Sequence, residues 1–432
     1  MGSEFPTIPL GQLCDPDRGI TYGIVKVGEF VPEGIPIIRG GDIRNGRIEI
    51  DHAKRVSQEV SEQFRRTVLK GGEIVMNLIA EAGHAAIVPR DFAGFNVSRD
   101  VAVIPLNDAV NHRFVEHVLK SPQHISWLAS RLQGSVTQKI NLSTLRESPI
   151  PIPPRQIQDW IADVLGALDA KSELNRRMNQ TLQEMAHAVF RSWFVNFDPI
   201  RAKAEGCQPL GMDAATAALF PDSFQDSQLG KIPKGWQVRS LDAVAHFLNG
   251  LALQKYPPNG NDCLPVIKIA QLHKGGTVGA DQAAADLPPD YVVHDGDVLF
   301  SWSGSLEVVI WCGGRGALNQ HLFKVTSPDY PKWFYYFWIR EHLPEFQAIA
   351  SGKATTMGHI QRHHLSEAKV LVPPTELVSA MDKVFSPTVE AMVGNNLQCR
   401  SLAAIRDALL PKLISGEIRV KDVVHIATES GS

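Results

Sequence analysis

Apolar and polar positions alternate along this chain in two different rhythms, and the switch between them is written twice. From Ser148 the chain reads "SPIPIPPRQIQDWIADVLGALDAKSELN", and from Ala368 it reads "AKVLVPPTELVSAMDKVFSPTVEAMVGN". In each, a β-branched run of strand character meets a Pro-Pro pair and becomes a long amphipathic stretch. Proline has no N–H to give a ladder and restricts the residue before it, so Pro153-Pro154 and Pro373-Pro374 end a strand and open a helix. Pro154 and Pro374 lie 220 residues apart, too far for a solenoid unit. The pattern predicts a chain built as two similar halves.

After each Pro-Pro pair the apolar positions step by four and three, which predicts a heptad seam. Counting from Ile157, the first seam runs through Ile161, Val164, Leu168, Met178, Leu182, Met185 and Val189, skipping Lys171 and Asn175. The second uses Leu377, Met381, Val384, Leu402, Ile405 and Leu409, with Thr388, Ala391, Asn395 and Gln398 in its middle. Both seams are apolar at the ends and polar in the centre, with Asn175 and Asn395 equivalent. Two readings of that centre stand: a buried polar pair that fixes register, or an exposed break. Pro387 favours a kink in the second helix. A straight helix of about 40 residues would span roughly 60 Å, and two packed antiparallel would relate the halves by an approximate two-fold.

Upstream of each helix the two halves match piece by piece. "IPIIRGGDIRNGRI" (35–48) faces "LPVIKIAQLHKGGTV" (264–278), each reading as strand, polar turn and return strand. Gly72-Glu73 and Gly296-Asp297 each precede a strand of buried character. A helical run then ends in glycine and a polar Ser/Thr/Lys loop. The predicted architecture is a pair of α/β (α+β) domains separated by two long, antiparallel, coiled-coil-like helices. Its boundaries are a first domain over 1–153, a spacer helix over 154–198, a linker over 199–235, a second domain over 236–374, a second helix over 375–416 and a tail over 417–432.

A length of 432 residues suits two or three domains, and 44% hydrophobic with 21% charged residues is an ordinary globular composition. No apolar run has membrane-spanning length, and "MGSEFPTIPL" lacks the basic segment and apolar core of a secretory signal. Cys14, Cys207, Cys263, Cys312 and Cys399 form no C-x-x-C pair, which points to a reducing cytoplasm and away from a disulfide frame or a cysteine–zinc site. The net charge of −3 does not advertise nucleic-acid binding, so any DNA contact must come from basic residues gathered on one face, or from partners.

Over nearly its whole length the chain resembles the specificity (S) subunit of type I restriction–modification enzymes. "AHAVFRSWFVNFDPIRAKAEGCQPLGMDAATAALFPDSFQDSQLGKIPKGWQV" (186–238) matches that family's helix end and inter-domain linker. "IPIPPRQIQDWIADVLGALDAKSELN" matches its first conserved region, and "LVPPTELVSAMDKVF" through "LLPKLISGEIRV" its second. The resemblance implies two target-recognition domains, each reading half of a bipartite site in double-stranded DNA, and helices that act as a ruler. It implies two modification (methyltransferase) subunits on those helices, restriction (translocase/nuclease) subunits joining them, and no catalysis, cofactor or membrane in this subunit. S-adenosylmethionine, ATP and Mg belong, on this reading, to the partners.

The chain lacks familiar catalytic motifs. "DLPPDY" (286–291) is misordered for the loop that holds a flipped adenine, and "SGKAT" from Ser351 lacks the upstream glycine of a phosphate loop. No dinucleotide fingerprint or nucleophile elbow occurs. His359 and His363 stand at i, i+4, a spacing that serves metals on one helix face, but no third ligand accompanies them. Phe190, Trp193, Phe194 and Phe197 suit either a partner surface or packing against the domains.

Base reading needs long hydrogen-bonding side chains on loops: Arg for guanine, Asn or Gln for adenine. In the first half the candidates are Arg39, Arg44 and Arg47 of "RGGDIRNGR", Thr137, Gln138 and Lys139 of "GSVTQK", and Arg99. In the second they are Lys268, Gln271, His273 and Lys274, then Ser301, Trp302 and Ser303, then Gln320, and Lys353, Thr355 and Thr356 of "GKATT". Two other readings compete with DNA recognition. One is a methyltransferase or nuclease with an unfamiliar site, the other a scaffold that only holds helices apart.

Overall fold

A computed structural model describes residues 5–44, 46–50, 53–79, 83–132, 139–260, 262–352 and 358–418. It forms two compact units, Met1–Lys171 with Leu402–Ser432, and Ser172–Ser401. Two helices of 40 residues, Arg155–Phe194 and Thr375–Ile414, each contribute one end to each unit. The second runs unbroken through Pro387.

The first unit holds a four-stranded antiparallel sheet in the order Thr21–Tyr22, Val101–Ile104, Ile74–Asn77, Ala85–Ile87. Beside it Ile35–Ile38 pairs antiparallel with Arg55–Val56 and parallel with Asn96–Val97. The second unit repeats both sheets. His246–Asn249, Leu322–Thr326, Val298–Ser301 and Val308–Ile310 form the first. Cys263–Ile267 pairs antiparallel with Gln282–Ala284 and parallel with Gly316–Leu318 in the second. Each unit also closes on a two-stranded ladder whose later strand leads to the Pro-Pro pair: Thr7–Pro9 with Pro149–Pro151, and Gln237–Ser240 with Lys369–Val372.

The duplication extends to single hydrogen bonds. The Glu73 carboxylate accepts from Lys70 N at 2.8 Å, and the Asp297 carboxylate accepts from His294 N at 2.8 Å. Gly72 N donates to Val88 O as Gly296 N donates to Trp311 O. The glycine–acid pairs that match in sequence are thus the same turn.

The long helices run antiparallel, and their polar centre is buried. Asn175 is fully buried and its Nδ2 donates to Gln398 Oε1 at 2.7 Å. Asn395 Nδ2 donates to Asn179 Oδ1 at 2.8 Å, and Asn179 Nδ2 to Met392 O at 2.9 Å. Cys399 Sγ approaches Ser172 O at 3.4 Å. With a repeat of 220, residues 172 and 399 are the counterparts of 392 and 179, so these last two contacts are one contact made twice around the Asn175–Asn395 layer.

That layer corrects the predicted seam. The buried line is Ile161, Leu165, Ser172, Asn175, Asn179, Ala186 and Phe190, whereas Met178, Met185, Val384 and Ile405 are exposed. Periodicity alone favoured Met178 over its polar neighbour Asn179. The structure buries Asn179 because Asn395, Asn396 and Met392 satisfy its amide.

The units are packed differently. In the second, Phe190, Phe194, Trp236, Trp333, Phe334, Phe337, Trp338 and Phe385 form one cluster, with Trp333 stacked on Phe385 at 4.5 Å. Phe190, Trp193 and Phe194 therefore pack inward. The predicted linker is structured too: Asp198–Ala204, Ala214–Leu219 and the hairpin Phe224–Ser227 with Gly230–Pro233 carry Ile200, Phe220 and Ile232 into the same core. The first unit fills its core with Leu, Ile and Val around Phe114, against Ile161, Leu165, Leu410 and Leu413 of the long helices.

Charge also ties modules to helices. In the first unit Asp169 faces Arg406 at 2.9 Å, Lys120 at 3.8 Å and His117 at 3.8 Å. Burial would raise the Asp169 carboxyl, but Lys120 and Arg406 outweigh it and hold it below the ordinary value. Burial, then Lys120, presses the His117 imidazole down to about 4, and burial alone takes His124 to about 4. In the second unit Arg400 forks onto both Asp295 oxygens at 2.8 and 2.7 Å, and its hydrogen bonds hold Asp295 below the ordinary value.

Candidate nucleic-acid interface

A strand that runs Ile-Pro-Ile-Ile must stop where Arg39 meets two glycines. There Arg39 N donates to the Asp42 carboxylate at 2.8 Å and closes a tight turn. Gly40 N donates to Asp100 Oδ2 at 2.9 Å, tying this turn to the loop after Asn96–Val97. Gly23 closes the other side: a Cβ there would stand 1.9 Å from Val97 O, so only glycine admits the approach. The result is a cleft of about 460 Å³ with Val25, Phe30, Ile37 and Ile79 as walls and Arg39, Lys54, Arg99 and Asp100 as polar lining. The Lys54 ammonium lies 4.5 Å from the Phe30 ring centre. Ile79 pairs with Lys139, which is exposed at the same edge.

The second unit builds the same frame with other side chains. Lys268 N donates to Gln271 Oε1 at 3.2 Å, as Arg39 does to Asp42. Gly250 is the counterpart of Gly23, its Cβ position 2.2 Å from Asn319 O. Leu251 bridges to Asn319 as Ile24 bridges to Ser98, which sets Gln320 in the place of Arg99 and His321 in that of Asp100. Ser303 bridges to His359 as Ile79 does to Lys139. Trp302 donates from Nε1 to Asn249 Oδ1 at 3.0 Å and lies 5.9 Å from the His321 ring. Ser303 Oγ meets His321 Nδ1 at 3.0 Å, and Gln320 Nε2 lies 3.4 Å from His321 Nε2.

The structure thus brings Arg39, Arg99 and Lys139 together at one site, and places Lys268, Trp302 and Gln320 at the equivalent one. Arg44 is exposed and donates to Gly41 O at 2.6 Å, while Arg47 lies across the hairpin from it. His273 faces Glu307 at 3.2 Å, next to Lys274 in the last turn of Ile269–Lys274. Three candidates are corrected. Ser301 is fully buried, with its hydroxyl donating to Ser305 O at 2.7 Å and accepting from Glu307 N at 2.8 Å. Gln271 and Ser303 are buried, Gln271 accepting from Lys268 N and the Ser303 hydroxyl meeting His321 Nδ1. Ser301 and Gln271 satisfy backbone groups, a role their sequence position does not distinguish from base contact. Thr137, Gln138, Lys353, Thr355 and Thr356 lie outside the described residues.

Lys54 and Phe30 were missed. Lys54 sits in a plain run before Arg55–Val56 and only the pairing with Ile35–Ile38 carries it to the cleft. His359 and His363, whose spacing would suit one helix face, do not share a helix, since the short helix is Arg362–Glu367. Among the described residues the candidate ligand group is instead His363, His364 and Glu367, whose atoms lie within 4.8 Å of one another. His364 Nδ1 is already used, accepting from Gln361 N at 2.9 Å.

Residues 9–184 and 233–392 match the type I restriction modification DNA specificity domain. The chain belongs to that family. It is 25% identical over 418 residues to the type I restriction enzyme MjaIX specificity subunit of Methanocaldococcus jannaschii, covering 92% of this chain and 90% of that one. It is 24% identical over 443 residues to the HindI specificity subunit of Haemophilus influenzae, covering 89% and 94%. An S subunit from M. genitalium aligns over 95% of this chain and 96% of its own, with 15% identity and a TM-score of 0.49. Membership makes this a specificity subunit, a DNA-recognition component rather than a catalyst. Among the described residues no helix is long and apolar enough to cross a membrane.

Proposed function

We propose that this specificity subunit reads a bipartite site in double-stranded DNA, one half-site per recognition module. The modules correspond to residues 1–153 and 236–374, and the base-contacting groups lie around Arg39, Lys54, Arg99 and Lys139 in one and Lys268, Trp302 and Gln320 in the other. The observation that carries this reading is the repetition of one backbone frame, glycine for glycine and bridge for bridge, with its variable side chains at matched positions. A duplicated frame with exchanged lining is suited to reading two different short sequences.

The long helices take modification subunits in this reading. Leu174, Met178 and Met185 stand at i, i+4 and i+11 on the first helix, and all are exposed, which leaves an apolar stripe for a partner. S-adenosylmethionine, ATP and Mg act in the modification and restriction subunits. With a net charge of −3 the isolated chain has little to offer a phosphate backbone, so tight binding requires those partners. Sequencing adenine methylation in a host carrying this subunit and its modification partner tests the whole. Replacing residues 236–372 by the matching module of a relative changes one half of the methylated motif. A change in both halves or in neither overturns the assignment. Four residues inserted near Lys171 lengthen the helix by roughly 6 Å and widen the gap by about one or two base pairs; an unchanged gap in a stable variant means that the helices are not the ruler.

A further inference from the structure

The two equivalent sites differ most in charge. In the first unit the cleft carries Arg39, Lys54 and Arg99, with Lys139 at its edge. The acid among its lining, Asp100, accepts from Gly40 N and from the Ser98 hydroxyl. In the second unit these positions change character, except that of Arg39, where Lys268 keeps the positive charge. Ile37 N donates to Lys54 O at 2.9 Å and Val266 N to Asp281 O at 2.8 Å, so Asp281 stands where Lys54 stands. Lys268, the counterpart of Arg39, is ion-paired to that Asp281, as Arg39 is to Asp42 at 3.5 Å, so the charge difference rests on Lys54, Arg99 and Lys139. Gln320, His321 and His359 replace Arg99, Asp100 and Lys139.

We propose that the two modules hold their half-sites by different chemistry. The first grips its half-site by charge, with the Arg99 guanidinium as reader of guanine. The second reads with neutral groups, with the Gln320 amide at the matching backbone position as reader of adenine. This rests on the DNA-recognition reading above. The physical warrant is twofold. Each cation that neutralises a phosphate releases counterions and steepens the salt dependence, which a paired lysine and neutral amides do not. Guanidinium matches the O6 and N7 acceptors of guanine bidentately, and the glutamine amide matches N6 and N7 of adenine. Trp302, half-buried beside Gln320, offers an apolar face to a thymine methyl in the same groove.

The experiment uses the complex of this subunit with its modification subunits. Its probes are a duplex bearing the methylated motif and a scrambled duplex of the same length. Anisotropy titrations at a slightly alkaline pH, across about 50 to 200 mM salt, give the slope of log affinity on log salt. Lys54→Ala lowers the magnitude of that slope by about one and Arg99→Ala relaxes discrimination at its own base, whereas Lys268→Ala and Gln320→Ala leave the slope at the wild-type value. Gln320→Ala still costs about tenfold or more in discrimination, confined to its own half-site. Gln320→Arg is the gain-of-function arm: the preference at one position moves from adenine towards guanine. Equal slope losses from both modules, or none from the first, overturn the division of labour. Equal binding of both duplexes by the unmutated complex overturns the recognition reading itself and this proposal with it.

Discussion

The two units share a backbone and almost nothing of their packing. The second is an aromatic cluster in which Phe194 touches the rings of Trp236, Trp333, Phe334 and Trp338. The first is aliphatic, with Leu410, Leu413 and the half-buried Ile414 at the helix positions 220 residues on from Phe190, Trp193 and Phe194. One frame therefore tolerates two cores, because ladders and tight turns set its geometry while side-chain volume only has to fill it. The same tolerance lets the lining of the reading sites change without moving the frame.

The largest expected effect tests the cores. Phe194→Ala costs about 3–5 kcal/mol and Leu413→Ala about 2–5 kcal/mol, with the aromatic site the greater. Hydrogen exchange locates each loss, in residues 172–401 for the first and in the other unit for the second. Losses spread evenly over both would break the contrast.

The next contrast is in pH. His117 and His124 of the first unit are neutral when folded, with pKa values near 4, and ordinary when unfolded. Between about pH 6.5 and 4 the unfolded chain binds the extra protons, so this unit loses stability as pH falls through that window. The cost reaches a few kcal/mol for the pair. Burial, then Arg340, also lowers His187 in the second unit, but that ring is only half-buried and its share is smaller. Denaturant midpoints followed by exchange in each unit check the ordering, and His124→Gln flattens the acid slope of the first.

A smaller effect separates polar packing from mere polarity. Asn179→Ala leaves the Asn395 amide without its acceptor, and Met392 O and Asn396 without that donor, at about 1–3 kcal/mol. Its exposed neighbour Met178→Ala changes stability by less than about 1 kcal/mol. Equal values from thermal unfolding would mean that the seam is not where the structure puts it. Smallest is Arg400→Ala: the pair with Asp295 is bidentate, but the two side chains are 47% and 27% exposed, so about 0.5–1 kcal/mol is expected.

By itself the sequence determined the duplication, the strand–Pro-Pro–helix order, the polar centre at Asn175 and Asn395 and the family. All of these are local signals: proline chemistry, glycine–acid turns and helical period act on neighbours in the chain. Tertiary structure decided three things that local pattern does not carry. It moved the helix seam onto Asn179 and away from Met178, since a buried amide is tolerated only where partners from another segment satisfy it. It buried Ser301 while turning Arg99 outward, two residues that look equally available beside their strands. It also brought Lys54 next to Arg39 and Arg99, across strand pairings that join distant parts of the chain. A reading site is made of such long-range neighbours, whose pairing depends on the packing of the whole unit, so the frame was legible in sequence and its lining was not.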